Sequence, residues 1–207
     1  MKVMLVNGSP HENGCTYTAL NEMKKVFEEN GIEAEIYWSG SKPVSGCIGC
    51  GACRKLGKCC IGSDTVNEFV EAARSADGFV FGSPVHYASA GGIITSFMDR
   101  AFYSGGSAFQ GKPAAAVVSC RRGGATATFD QLNKYFTINS MPVVSSNYWN
   151  QVHGNRPEEV LMDEEGVQTV RILAKNMSWL LKCIELGKQN GVTFPEPEAK
   201  IKTNFIR

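Results

Sequence analysis

Short apolar, β-branched runs alternate along the chain with longer amphipathic stretches. The runs fall at 3–6, 33–38, 78–82, 114–119 and 141–145, which predicts five strands. Helical patterns lie between them at roughly 16–29, 64–76, 91–103 and 124–137, and a last helix is predicted over roughly 159–188. In that last helix Val170, Leu173, Met177, Leu180, Leu181 and Ile184 recur at three- and four-residue spacing. The spacing gathers them on one face and leaves Arg171, Lys175 and Lys182 largely away from it. Strands that alternate with helices imply a parallel sheet covered on both faces, an α/β doubly wound architecture. After Gly191 the chain has two prolines and no period, which predicts an extended arm. The expected organisation is one domain over 1–190 and a tail over 191–207.

Composition narrows the class. With 207 residues, 43% hydrophobic and 20% charged, the chain is long enough for one large domain with a real core. The net charge is +1 with no block of like charges, so electrostatics gives no case for nucleic acid or an anionic membrane as partner. The apolar run at 3–6 is too short for a signal peptide, and no run approaches the ~20 residues of a membrane span. A cytoplasmic location is expected. In a reducing cytosol a cysteine cluster is more often metal-binding or catalytic than a set of structural disulfides.

A doubly wound sheet binds ligands beyond the carboxyl ends of its strands, where strand order reverses. The segments to read are therefore NGSPHENGCT, GSPVHYAS, SCRRGGA and SSNYWNQVHG. In the first, Ser9 to Thr16 offer hydroxyls, small residues and backbone N–H groups at a helix N-terminus, a setting that suits a phosphomonoester. The segment lacks both GxGxxG and GxxxxGK[ST], so it is neither a dinucleotide fingerprint nor an NTP loop. It also lacks the acidic cluster of a response-regulator receiver. A plain capping turn, with Thr16 or Asn13 as N-cap, is the alternative. In the second segment a proline turn, Tyr87 and small residues suit a flat heteroaromatic ligand, with Tyr87 over one face. His86 is a loop histidine open to a structural or a titrating role. In the third, Arg121 and Arg122 put cations beside Gly123 and Gly124, and a cation near a reducible ring raises its potential. Two solvated arginines are the alternative.

Five of the eight cysteines lie in CIGCGACRKLGKCC, residues 47–60. Cys47, Cys50, Cys53 and Cys59 form C-x2-C-x2-C-x5-C. Three cysteines at three-residue intervals let one tight loop reach three corners of a cubane, with Gly49 and Gly51 relieving crowding. Zinc sites more usually have two C-x2-C pairs a dozen or more residues apart. Free or redox-active thiols are a further alternative, and Cys60 is a spare.

These segments resemble the flavodoxin-like NAD(P)H-dependent FMN reductase family. GSPHENGCT is similar to its phosphate loop and GSPVHYASAGGIITSFMDR to its isoalloxazine segment, with likeness extending to about residue 188. CIGCGACRKLGKC resembles the cysteine motif of the iron–sulfur flavoproteins within that family, which bind FMN and a 4Fe–4S cluster. The resemblance implies a flavodoxin-like five-stranded parallel sheet. It assigns Ser9, Asn13, Gly14, Cys15 and Thr16 to the FMN phosphate. Pro84, Val85, His86 and Tyr87 would lie along the ring, and Arg121, Gly123 and Gly124 near its pyrimidine side. Cys47, Cys50, Cys53 and Cys59 would hold the cluster. His11, Cys15 and Thr95 depart from the residues usual at their positions. The implied activity is FMN-dependent oxidoreduction, with NADH or NADPH as possible donor and a small-molecule acceptor. A non-enzymatic electron carrier reduced by ferredoxin is the alternative. Relatives imply a homodimer or homotetramer. No pyridine-nucleotide motif is present, and no residue is assigned as catalytic.

Overall fold

In the computed structural model, which describes residues 1–206, strand β1 (Lys2–Asn7) leads into helix α1 (Cys15–Glu29) and strand β2 (Glu33–Trp38). A long connection holds one short helix, α2 (Cys53–Leu56), before α3 (Val66–Ala73). Strand β3 (Gly78–His86) turns back on the two-residue β4 (Ser89–Ala90), and α4 (Gly92–Gly105) follows. Then come β5 (Ala114–Cys120), α5 (Ala125–Ile138), β6 (Gln151–His153), α6 (Pro157–Met162) and α7 (Glu164–Gln189). The sheet order is β2-β1-β3-β5-β6, all parallel, with β4 paired antiparallel to β3 alone. Strand order reverses between β1 and β3, the position of the ligand crevice in doubly wound sheets.

The side-chain alternation of β1 explains why helices cover both faces. Met4 and Val6 join one core, with Phe79, Phe81, Ala116, Val118 and the inward faces of α3, α4 and α5. Val3 and Leu5 join the other, with Val80, Ala115, Val117 and the faces of α1 and α7. The first core is aromatic: Phe69, Phe79, Phe81, Phe102, Phe109 and Phe136 make tilted, edge-on and stacked contacts. Truncating one such ring to alanine costs about 3–5 kcal/mol in a packed interior.

Two expectations need correction. The run at 141–145 is not a strand. Val143 makes an isolated parallel bridge to Ala114, after which the chain leaves the sheet and rejoins it as β6. Pro142 supplies only a carbonyl there, accepting from the Ala114 N–H at 2.9 Å. Buried Asn150 bridges the gap: its carbonyl accepts from the Val118 N–H at 2.9 Å, and its side-chain amide donates to the Ala116 carbonyl at 3.1 Å. The long final helix is likewise two helices. Asp163 ends α6 and caps α7, its carboxylate accepting from the Gly166 N–H at 3.0 Å and from the His153 N–H at 2.7 Å. The apolar face of α7 is as expected for Val170, Leu173, Met177 and Leu181. Arg171 lies off that face, as expected, and crosses to Glu22 on α1, joining the two helices.

After Gln189 the described chain has no helix or strand, and Phe194 packs against Gly111. Arg207, the last residue of the expected tail, lies outside the described residues. No helix among the described residues is long and apolar enough to cross a membrane.

Candidate functional site

The loops that follow β1, β3, β5 and β6 enclose a cavity of about 760 Å³. Asn7, at the end of β1, is fully buried and sets the first wall. Its side-chain oxygen accepts from the Ser9 N–H at 3.1 Å, and its amide donates to the Glu12 carbonyl at 2.8 Å. Trp38 fixes the loop from the other side by donating its indole N–H to the Ser9 carbonyl at 2.8 Å. The N-cap of α1 is Gly14, not Asn13 or Thr16, and no side chain caps the helix. The first-turn N–H groups are therefore left to face the cavity, where the helix dipole favours an anion.

Thr16 is buried, and its hydroxyl meets that of Ser119 at 2.8 Å, tying α1 to β5. Cys15 donates its thiol to the Gly154 carbonyl at 3.6 Å; burial, then Glu159 and Glu158, raises its pKa. Burial likewise raises the pKa of Cys120. Both thiols at this cleft are held protonated.

The second wall is a hairpin. Val85 pairs with Ala90 and His86 with Ser89, so Tyr87 and Ala88 alone make the turn, at φ 52° and 58°. Positive φ at both positions is the type I′ pattern, which favours glycine or asparagine; here tyrosine and alanine adopt it. Gln131 on α5 holds the returning strand, its oxygen accepting from the Ala90 N–H at 2.9 Å. Gly124 lets the next loop pack against this turn: at φ 92°, an added Cβ would stand 2.6 Å from Ala88 Cα.

Of the residues expected at the ligand, Ser9, Asn13, Gly14, Cys15, Thr16, Pro84, Val85, His86 and Arg121 line this one cavity. Tyr87, Gly123 and Gly124 lie outside its lining, and the Tyr87 ring is fully exposed. Arg122 is also outside; its carbonyl accepts the Cys120 thiol at 3.7 Å. Sequence reading missed Asn155, Arg156 and Pro157, which close the cavity from the loop after β6. The signal was the Asn-Arg-Pro step, since proline at the first helical position marks a helix start.

The cysteine loop lies elsewhere and is built differently. Cys47, Cys50, Cys53, Cys59 and Cys60 border one small apolar cavity beside Arg100 and Tyr103 of α4. Arg100 is fully buried. It donates to the carbonyls of Ser45 (3.3 Å) and Ile61 (2.7 Å), to both Asp64 carboxylate oxygens, and through Nε to Cys59 Sγ at 3.2 Å. Burial works against its charge, but Asp64 and Cys59 outweigh that and raise its pKa. Asn67 on α3 brackets Cys59, accepting from its N–H at 2.9 Å and donating to its carbonyl at 3.0 Å. Cys50 and Cys60 are exposed, with their sulfurs 3.5 Å apart.

The donor set suits an iron–sulfur cluster: soft thiols on glycine-flanked turns, with a cation to offset thiolate charge. Among the described residues no three ligating side chains converge on a single metal ion. A cubane spaces its thiolates at separate corners, a wider arrangement. The cavity holds about 20 Å³, room for about one water. A cluster therefore requires the loop to spread.

Residues 1–156 match the family described as NADPH-dependent FMN reductase. The chain belongs to that family. Within it, the chain is 34% identical over 193 residues to an iron–sulfur flavoprotein of Methanocaldococcus jannaschii, covering 89% of this chain and 100% of that one. It is 28% identical over 193 residues to an iron–sulfur flavoprotein of Methanosarcina thermophila, covering 91% and 99%. The structure of a flavodoxin from the domain Archaea superposes with a TM-score of 0.59 at 15% identity, over 88% of this chain and 99% of that one. The fold of this FMN reductase family member is flavodoxin-like.

Proposed function

We propose that the chain is an FMN-dependent oxidoreductase that takes electrons from NADH or NADPH, or from a protein donor, and passes them to a small acceptor. The observation that carries the reading is the cleft at the β1/β3 switch point. There an uncapped helix N-terminus, the end of β3 from Pro84 to His86, and Arg121 converge. When bound, FMN supplies hydride acceptance and single-electron transfer.

The chain's own residues do the rest. First-turn N–H groups of α1 and the Ser9 loop hold the phosphate, braced by Asn7 and Trp38. Pro84, Val85 and His86 set the ring edge, and Gln131 holds their hairpin rigid. Arg121 favours negative charge on the ring system. Protonated Cys15 and Cys120 add no competing anion.

In the same reading Cys47, Cys50, Cys53 and Cys59 hold a 4Fe–4S cluster. Arg100 stands eight residues past the start of α4, about 12 Å of helix rise from the flavin hairpin. One helix thus links the two centres. The exposure of the cysteine loop favours a second reading of the same parts, a carrier that exchanges electrons with ferredoxin at that surface.

The test is anaerobic purification followed by a visible spectrum, iron and acid-labile sulfide assays, and steady-state turnover with NADH and NADPH. The expected result is stoichiometric FMN with about four irons per chain, and turnover with at least one nucleotide. FAD in place of FMN overturns the cofactor assignment. Reduction by ferredoxin alone selects the carrier.

A further inference from the structure

The cysteine loop has one thiol more than a cubane uses, and the structure gives the fifth a specific neighbour. Cys59 is occupied by Arg100 and bracketed by Asn67. Cys60, next to it, points instead to Cys50, sulfur to sulfur at 3.5 Å, and both side chains are open to solvent.

We propose that Cys50 and Cys60 are a redox pair that closes to a disulfide when the loop is free of metal, and reopens on reduction.

Three features support this. A disulfide needs sulfurs about 2.05 Å apart, so this pair must approach by only about 1.5 Å. The two halves differ in freedom. Cys60 sits on a segment fixed through Cys59 and Ile61 by Arg100 and Asn67, while Cys50 lies between Gly49 and Gly51, both at positive φ. Movement of the Cys50 turn closes the remaining distance and leaves the contacts that tie Cys59 and Ile61 to α3 and α4 in place. Both sulfurs are also accessible to a small oxidant, as in cysteine pairs where one thiol is attacked and a neighbour resolves it.

The oxidant is a low-molecular-weight disulfide, RSSR. Cys50, as thiolate, attacks one sulfur of RSSR; the S–S bond breaks, RS⁻ departs, and a mixed disulfide remains on Cys50. Cys60, having lost its proton to solvent, attacks Cys50 Sγ and expels the second RS⁻. Two protein thiols are oxidised by two electrons, RSSR is reduced, and the two released protons end on two RSH.

On the reading that Cys50 is a cluster ligand, the closed pair withholds one of four thiolates. The disulfide itself does not depend on that reading. The experiment uses the full chain with its flavin, stripped of iron, exposed anaerobically to oxidised glutathione and followed by intact mass and peptide mapping. The expected product is 2 Da lighter and linked Cys50 to Cys60, forming at least tenfold faster than any other cysteine pair. Cys60→Ser and Cys50→Ser should abolish it, and Cys59→Ser should retain it. A lasting glutathione adduct, a dominant link through another cysteine, or no reaction overturns the proposal. In parallel, oxidised protein is offered ferrous iron and sulfide. Uptake should fall below one iron per chain and recover after treatment with a dithiol. If reduced wild-type chain takes up no iron while the disulfide forms, the cluster reading falls and the redox pair stands.

Discussion

The proposed flavin cleft, beside the hairpin that leads into α4, and the cysteine loop, packed on the second half of that helix, are held by different means. The cleft is fixed by many small restraints distributed over four strand ends: Asn7, Trp38, Thr16 with Ser119, and Gln131. The cysteine loop has one turn of helix of its own and hangs mainly on one buried guanidinium, with Asn67 assisting. Distributed restraint gives a preformed pocket whose members can be lost singly. Concentrated restraint leaves a segment free to spread around a bulky guest, at the risk of depending on a single residue. A ligand held by backbone groups suits the first design and a cluster that must be enclosed suits the second.

The most severe way to break this contrast is Arg100→Met. It leaves the Asp64 carboxylate without its partner and releases Ser45, Ile61 and Cys59, and removing one member of a buried pair costs about 3–5 kcal/mol. Urea unfolding should register that loss. Flavin affinity should move by less than about threefold if the two regions are independently held, and an equal collapse of FMN binding would show that they are not.

Next in size is Gly14→Glu, aimed at the cleft alone. An added Cβ lies 3.0 Å from His11 Cβ, and the carboxylate adds negative charge at the uncapped helix end. FMN affinity should fall about 100-fold, or about 2.7 kcal/mol, with riboflavin affected less. Equilibrium titration checks both ligands, and unchanged FMN affinity removes the phosphate from this loop.

Smaller still is Glu22→Gln, which touches neither region and serves as a control. Burial pushes the Glu22 pKa up, but Lys25 and Arg171 outweigh it and hold the carboxylate below the usual 4.5. A depressed carboxylate contributes stability above its unfolded pKa, and that contribution drains away as pH falls through the folded value. The variant should lose about 1–2 kcal/mol at neutral pH, less than a fully buried pair because Arg171 is half exposed. It should also lose less stability than wild type as pH drops below about 4.5. Parallel acid-dependence curves would remove Glu22 from the linkage.

The finest probe is Arg121→Met against Arg122→Met. Arg121 borders the cleft and Arg122 does not, so only the first should lower the flavin potential. A shift of about 30 mV in the two-electron couple corresponds to about 1.4 kcal/mol. Equal shifts in both variants would mean a diffuse field effect with no specific contact.

Much of this was legible in the sequence for a physical reason. Buried parallel strands read as continuous apolar runs, so β1, β3 and β5 stood out, β2 showed through its closing Ile-Tyr-Trp, and the loops after them followed. The final strand did not stand out because its sheet position is filled from two separate pieces of chain, with the carboxamide of Asn150 standing in between. A hydrophobic pattern cannot report a side chain that substitutes for backbone. The break at Asp163 was hidden because α6 and α7 keep similar periodicity on either side, and the capping residue was the one mark of it. Arg156 was missed because it reaches the cleft from a loop whose place depends on that same irregular edge. In the cysteine loop, spacing announced thiols in a common place. Only coordinates could say that Arg100, 41 residues from Cys59, would select that sulfur.

The broken strand beside β5 bears on how the chain avoids pairing with other chains through its sheet edge. A regular outer strand offers a row of free N–H and C=O groups to any other chain, and parallel sheets, built from distant segments, expose such rows for longer while they fold. Here the outermost path is a lone bridge at Val143, a proline, an outward loop and three residues of β6. The carbonyl of Ala116, which would otherwise invite a foreign strand, is already taken by Asn150. The irregularity works as a guard against misassembly, and the opposite rim, a full six-residue strand, carries Glu33 and Glu35 as its charged deterrent.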